Sequence, residues 1–449
     1  MGRAKEWQLE QEERGWFDGP DTSVCSDCFD DEVLSDAARE KADAFTCDYC
    51  GNTAEDCGDP SVPIAAPFNA MMEVIAEGIY KDWNLADDEG VPYETAEGGY
   101  QFSTQDKWHL VYDWVPVSNR KLQKDIVSCL PDQQFCQRNF MSLDPARSMS
   151  VDWERFCEIV KHEKRYVFIH PRTPSSTECA EPPEGVEPNV AELRIGDDDV
   201  ASPEEVLETI ANIVKTSDLL RKVPVGTIFK RARIHDAVRR YRSPETLGPS
   251  PRHKTLSANR MSSSGISMFY GALDAYTAVA ETKTQKLLAT EIISIAEFVV
   301  TKEFSVVDFS RLPYVPSLFS ESTRWERGAI SFLHDFVKDL SKPVKRDGRA
   351  HIEYLPTQVI TEYFRYAFRQ DSSDFVRGLY YPSSRAEKGV ACVLFFDRED
   401  CGCSPESPWL KREAWLKLNR ATIERRRGRP RRSVPRDKKP LQTLLFSLE

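Results

Sequence analysis

Apolar side chains recur at three- and four-residue intervals in four stretches of the first half of the chain, and each predicts an amphipathic helix. They are residues 68–80 (FNAMMEVIAEGIY), 119–130 (NRKLQKDIVSCL), 152–162 (DWERFCEIVKH) and 204–216 (EEVLETIANIVKT). The last is preceded by a helix-start signature: Ser202 offers a hydroxyl cap, Pro203 the first helical position and Glu205 an acid three residues on. Beyond residue 216 the pattern changes to short β-rich runs at 227–233, 266–270, 292–300, 304–308 and 390–396. Helices separate them, one of them predicted over 275–288 with Asp274 as its cap. The second half therefore reads as a mixed α+β domain and not as the regular alternation of a doubly wound sheet.

A chain of 449 residues holds two or three domains on this reading, since single cores stop growing beyond about 250–300 residues. Composition places the joints. Residues 1–60 carry few apolar runs and end in a Pro-rich stretch, residues 61–170 are mainly helical, and residues 171–203 are rich in Pro, Glu, Ser and Asp, a linker composition. The α+β domain then occupies 204–415 and a basic tail 416–449. Net charge is −12, yet positions 411–439 hold 13 Lys or Arg against three acids. Such a tail is read first as a solvated segment, with nucleic acid as the weaker reading. No run reaches the 18 apolar residues of a membrane span and the N-terminal residues lack a signal-peptide core, so no membrane and a cytoplasmic location are expected.

Twelve cysteines without an export signal argue for metal ligands over a disulfide framework. Cys25 and Cys28 form one C-x2-C pair, Cys47 and Cys50 another, and 18 residues separate the pairs. That spacing predicts a structural zinc site, closed by four thiolates and with no open position for substrate. The intervening residues 30–43 are expected to pack over it as a helix. Cys129, Cys136 and Cys157 read as packing residues, and Cys401-Gly-Cys403 as a loop without an assigned role.

Residues 259–281 put Arg260, Tyr270 and Glu281 around one strand-to-helix turn. An Arg fork matches phosphate oxygens, a Tyr stacks on a flat ring, and a carboxylate opposes a developing positive charge. Arg233 alternates with Phe229 and Ile234 on an expected strand and is a second phosphate candidate. Ser383 and Ser384 follow Tyr380-Tyr-Pro382, so one hydroxyl should face the same cleft, with Ser384 preferred. Gln358 and Glu362, four apart on a helix, share one face. There is no Rossmann fingerprint, P-loop or Gly-x-Ser-x-Gly elbow.

Four of these pieces, TIFKRARIHD (227–236), residues 259–281, EYLPTQVITEYF (353–364) and RGLYYPSSR (377–385), resemble in order the motifs of RES domains. The resemblance covers roughly residues 205–415. One departure stands out: Arg260-Met-Ser-Ser-Ser-Gly265 replaces the Arg-Met-Asn-Pro-Ala-Gly of many members. The first half, through RYVFIH at 165–170, is similar to the HEPN/RES N-terminal domain. An Arg-x4–6-His ribonuclease pair is not found, since His162 follows Arg155 by seven positions, so RNase chemistry is not expected there.

The resemblance implies an ADP-ribosyltransferase-like fold and an NAD-consuming site. Arg233, Tyr270, Glu281 and Ser384 would be catalytic, with Arg260, Ser383 and Gln358 binding NAD+ as substrate. It implies an NAD+-degrading effector that cleaves the nicotinamide–ribose bond by hydrolysis or phosphorolysis, in growth arrest or defence against phage. ADP-ribosyl transfer to a protein and a non-catalytic nucleotide- or nucleic-acid-binding module are the alternatives. An antitoxin or regulatory protein and a homodimer are the partners it suggests.

Overall fold

The periodic stretch at 68–80 forms a helix because its apolar positions fall on one stripe, and that stripe is the centre of the first half's core. In the computed structural model Phe68, Met71, Met72, Ile75, Ala76 and Ile79 are all buried on this helix, Phe68–Asp82. Each of the larger of these, the Phe, Met and Ile side chains, contributes about 1.5–3 kcal/mol when fully withdrawn from water. The structure describes residues 7, 11, 13–96, 98–165, 201–236, 238–239, 241–282, 290–344, 348–369, 375–404 and 413–427, with backbone alone for 420–427.

The described residues divide into two compact units: those up to 159, 201–213 and 312–336 make one, and those within 160–165, 214–311 and 337–427 the other. In the first unit the elements are β1 (Ser23–Cys25), α1 (Glu32–Glu40), β2 (Ala65–Pro67), α2 (Phe68–Asp82), α3 (Lys107–Trp114), α4 (Arg120–Ser128) and α5 (Pro145–Glu158). β1 pairs antiparallel with β2, placing Cys25 opposite Ala65. The zinc-ribbon-like stretch and the helical stretch, expected as separate pieces, share one apolar core running from Trp16 and Leu34 through α2 to Ile126 and Phe135.

Leu318 and Phe319, from the middle of the expected α+β region, belong to this same core. Gly78 makes room for the second of them, because a Cβ there would overlap the Phe319 ring. Ser317 adds a hydrogen bond of 2.9 Å to Asp31, the cap of α1. Sequence periodicity carries no sign of this insertion, since contact between positions hundreds apart leaves no local pattern. The expected linker, 171–203, lies mostly outside the described residues.

α6 (Pro203–Thr216) starts as the signature predicts: Ser202 N–H donates to Glu205 Oε2 at 2.7 Å and Glu205 N–H to Ser202 Oγ at 3.3 Å. The second unit then lays down β3 (Leu220–Val223), β4 (Ile228–Asp236), β5 (Phe269–Ala272), α7 (Ala275–Thr282), β6 (Glu291–Val300), β7 (Phe304–Asp308), α8 (Arg327–Ser341), α9 (Leu355–Glu362), β8 (Val376–Pro382), β9 (Val390–Leu394) and β10 (Leu416–Arg427). α8 begins in the first unit and ends in the second.

Eight strands form one mixed sheet in the order β10-β6-β4-β5-β9-β8-β7-β3. Neighbours are antiparallel except β7 and β8, which run parallel. This is the expected α+β class. The tail assigned to 416–449 is shorter than expected, because Leu416–Arg427 is an edge strand paired to β6. Residues 428–449 lie outside the described residues.

The two faces of this sheet are different. Phe229, Phe269, Phe298, Tyr380, Cys392 and Leu394 make an aromatic core on one. On the other, Ala232, Ala272, Ile293 and Ile295 pack against Ala278 of α7. Small residues on this second face let α7 approach, and the candidate site is built beside it.

Candidate functional site

α7 is set by its own cap. Asp274 accepts from Thr277 N–H at 2.8 Å and from Thr277 Oγ1 at 2.6 Å, as the sequence predicts. Thr277 in turn sits against Gly389, where any Cβ would overlap its hydroxyl. With the helix so placed, Glu281 comes to the end of β8.

Ser383 stands there. Its backbone N–H donates to Gly389 O at 2.8 Å, and its Oγ accepts from Arg385 N–H at 3.2 Å and Ala386 N–H at 3.1 Å. A serine hydroxyl has one proton, and with its acceptor side taken by two amides that proton is free to point outward. It goes to Glu281 Oε1 at 2.5 Å. The other carboxylate oxygen has no hydrogen-bond partner among the described residues. Ser384, the preferred candidate from sequence, is exposed instead. The order of the two serines is therefore corrected: β8 ends at Pro382, and the turn after it directs the first hydroxyl inward.

Arg260 lies on a hairpin-like loop that the protein holds at several points. Asn259 and Ser262 exchange backbone hydrogen bonds of 2.8 and 3.3 Å. Gly265 follows at φ +85°, a conformation that favours glycine. Gln358, 3% exposed on α9, spends its whole amide on the loop: Nε2 donates to Asn259 O at 2.8 Å and Ser262 O at 3.3 Å, and Oε1 accepts from Ser263 Oγ at 2.9 Å. Thr357 Oγ1 adds a bond of 2.5 Å to Arg260 O. Gln358 is thus a scaffold for the arginine's loop and not a ligand contact, which corrects its expected role. Arg260 donates one N–H to Leu340 O at 2.6 Å, and the rest of its fork has no partner among the described residues.

Tyr270, on β5, gives or takes a 2.8 Å hydrogen bond with Ser262 Oγ, and burial pushes its phenol up. It lies on the α7 face of the sheet, as does Tyr381 of β8: Tyr270 is opposite Val393 and Tyr381 opposite Ala391 on β9 between them. Tyr381 is driven well above the ordinary phenol range first by burial and then by the nearby charges of Glu281 and Tyr270, with Arg260 opposing. Arg260, Tyr270, Glu281 and Ser383 therefore lie about Tyr381, a residue to which the sequence analysis assigns no role. Its place two residues before Ser383 is the signal that could have found it.

Arg233 is not brought to this group. Strand alternation puts it on the opposite face of β4, since Ala232 and Ile234 are the residues that face α7. Its fork donates to Gly248 O and, at 3.4 Å, to Ser250 Oγ, and burial lowers its pKa. It braces the loop around Gly248, which corrects the phosphate-clamp expectation. Arg231, one alternation away, is buried as well; it donates to Tyr270 O and lies 5.0 Å over the Phe269 ring. Burial lowers it to about 9, and its Nε has no partner.

The metal candidates do converge. Cys25, Cys28 and Cys47 are buried, Cys50 is exposed, and their sulfurs all lie within 4.8 Å of one another. Three sulfur pairs measure 3.4, 3.7 and 3.9 Å. Tetrahedral ligation at about 2.3 Å spaces sulfurs about 3.8 Å apart, so the donor set fits zinc. Ser35 of α1 donates to Ser26 O at 3.0 Å and to Phe29 O at 3.2 Å, holding the helix over the first pair as expected.

A cavity of about 780 Å³ lies in the first unit, its lining including Trp16, Tyr80, Arg14 and Arg138 together with the acids Glu13 and Glu73. Arg14 pairs with Asp18 and Arg138 with Glu89, and the Tyr80 hydroxyl donates to Gly15 O at 2.5 Å. Both of its arginines and its tyrosine hydroxyl are thus committed to protein partners. Chemistry is assigned by the convergence of groups around Glu281, not by hollow size.

Two family models match the chain: HEPN/RES N-terminal domain 1 over residues 40–174 and the RES domain over residues 231–409. The chain carries a RES domain. Its match begins at Arg231 on β4 and contains every residue of the Glu281 cluster. RES domains are associated with NAD-related activity, and the four-cysteine cluster in the N-terminal region is compatible with zinc. Neither the curated proteins nor the solved structures yielded a match. Among the described residues of this RES-domain protein, no helix is long and apolar enough to cross a membrane.

Proposed function

We propose that the RES domain of this chain breaks the nicotinamide–ribose bond of NAD+. Leaving-group departure makes the ribose positive while the pyridinium becomes neutral, so the transition state asks for a carboxylate beside the sugar. The observation that carries the reading is the Ser383–Glu281 hydrogen bond, which leaves one oxygen of the acid without a partner among the described residues, while Glu281, Tyr270 and Arg260 all act on the same buried Tyr381. In this reading Glu281 opposes the ribose charge, Ser383 fixes the rotamer of the acid, Arg260 takes a phosphate oxygen with its unengaged N–H groups, and Tyr270 lies along the ring.

Water or phosphate as acceptor makes the protein an NAD+-degrading effector of the kind that arrests growth or limits phage. A protein side chain as acceptor makes it an ADP-ribosyltransferase. The test is mass analysis of products after incubating NAD+ with the full chain, in buffer with and without phosphate. Nicotinamide with ADP-ribose indicates hydrolysis, nicotinamide with a phosphorylated ADP-ribose indicates phosphorolysis, and a mass added to the protein indicates transfer. Intact NAD+ under all these conditions ends the reading.

A further inference from the structure

β8 alternates across the sheet, and its two adjacent tyrosines have opposite fates. Tyr380 packs edge-on to Phe229, with centroids 6.0 Å apart, in the aromatic core. Tyr381 points to the α7 face, the same face that Ser383 and Glu281 occupy beyond the strand's end. Only 7% of Tyr381 is exposed, yet its hydroxyl has no hydrogen-bond partner among the described residues. A tyrosine hydroxyl that makes no bond within the protein, on a side chain otherwise almost wholly buried, keeps its proton for water or a bound group.

Across β9 and β5 the residues in register with Tyr381 are Ala391 and Ala272, with Tyr270 one alternation along. Both alanines are buried, and the polar groups that act on Tyr381 are Glu281, Tyr270 and Arg260.

We propose that Tyr381 is a further substrate-contacting residue of this site, its phenol donating a hydrogen bond to the bound dinucleotide beside Glu281. It acts as donor and not as acceptor, because burial and the neighbouring carboxylate keep its proton on. Glu281 then accepts from a substrate hydroxyl while Tyr381 donates to a neighbouring oxygen, a pairing that distinguishes a ribose edge from a plain anion. The inference rests on the NAD+ reading above.

The experiment uses the full chain and three proteins: wild type, Tyr381→Phe, and Tyr380→Phe as the control from the other face. Melting midpoint, calorimetric NAD+ affinity, and kcat and KM for NAD+ loss are measured for each. Tyr381→Phe keeps the ring and the fold, and is expected to melt with the wild type while losing about tenfold in kcat/KM and in affinity. Tyr380→Phe is expected to match the wild type in both. Equal affinity and turnover in Tyr381→Phe and wild type overturn the inference and leave the NAD+ reading standing. A wild type that neither binds nor consumes NAD+ overturns both.

Discussion

Glu281 and Ser383 are 102 positions apart and joined by one hydrogen bond of 2.5 Å, so small changes at either should be felt in chemistry and not in folding. Glu281→Gln keeps the size and the contact with Ser383 but removes the charge; NAD+ turnover is expected to fall about 100-fold or more, with the circular dichroism spectrum unchanged. Ser383→Ala is expected to lower kcat/KM about tenfold, while Ser384→Ala, at an exposed position, leaves it near wild type. The reverse order in steady-state kinetics would restore the second serine. Arg233 belongs to a different class. Its bonds to Gly248 O and Ser250 Oγ make Arg233→Ala a stability variant, expected to cost about 1–3 kcal/mol in denaturant titration while NAD+ affinity stays.

At the scale of elements, the site depends on how near α7 can come to the turn that follows β8. Gly389 sets that approach, since Thr277 Oγ1 and the Ala386 Cβ occupy the space a side chain would need. Gly389→Ala is expected to cost about 1–3 kcal/mol and, by pushing the helix outward, to weaken turnover as well. A variant that loses stability but keeps full turnover would show that Glu281 does not depend on this contact. The start of α6 is a simpler matter. Ser202 and Glu205 exchange two hydrogen bonds, and Ser202→Ala is expected to cost about 1 kcal/mol in thermal unfolding with no change in NAD+ loss.

On the scale of the whole chain, two compact units and a candidate metal cluster in one of them argue against a single cooperative transition. The four sulfurs sit between β1 and the helix α1, whose Leu34 and Ala38 enter the common core of the first unit. Removing a bound ion therefore removes support from that core and not only from a surface loop. A strong chelator, or Cys47→Ser, is expected to lower the melting midpoint of the first unit, followed by limited proteolysis at α1. Loss of zinc by elemental analysis without any change in melting would make the cluster a passive binder.

Much of this protein is readable from local pattern, because local pattern reports local forces. The period of α2, the cap signatures of α6 and α7, the two C-x2-C pairs and the α+β class of the second half all follow from spacing that neighbouring residues enforce on one another. Arg260, Tyr270 and Glu281 could be singled out because their chemistry suits a dinucleotide. What spacing could not decide is which face or turn each side chain occupies. Strand phase turns Arg233 away, a turn after Pro382 exchanges the two serines, and distant partners commit Gln358 to a loop. The same is true of Leu318 and Phe319, drawn into the first unit's core past a glycine 240 positions earlier, and of Tyr381. Its burial and unpaired hydroxyl come from contacts between segments that only the folded chain brings together.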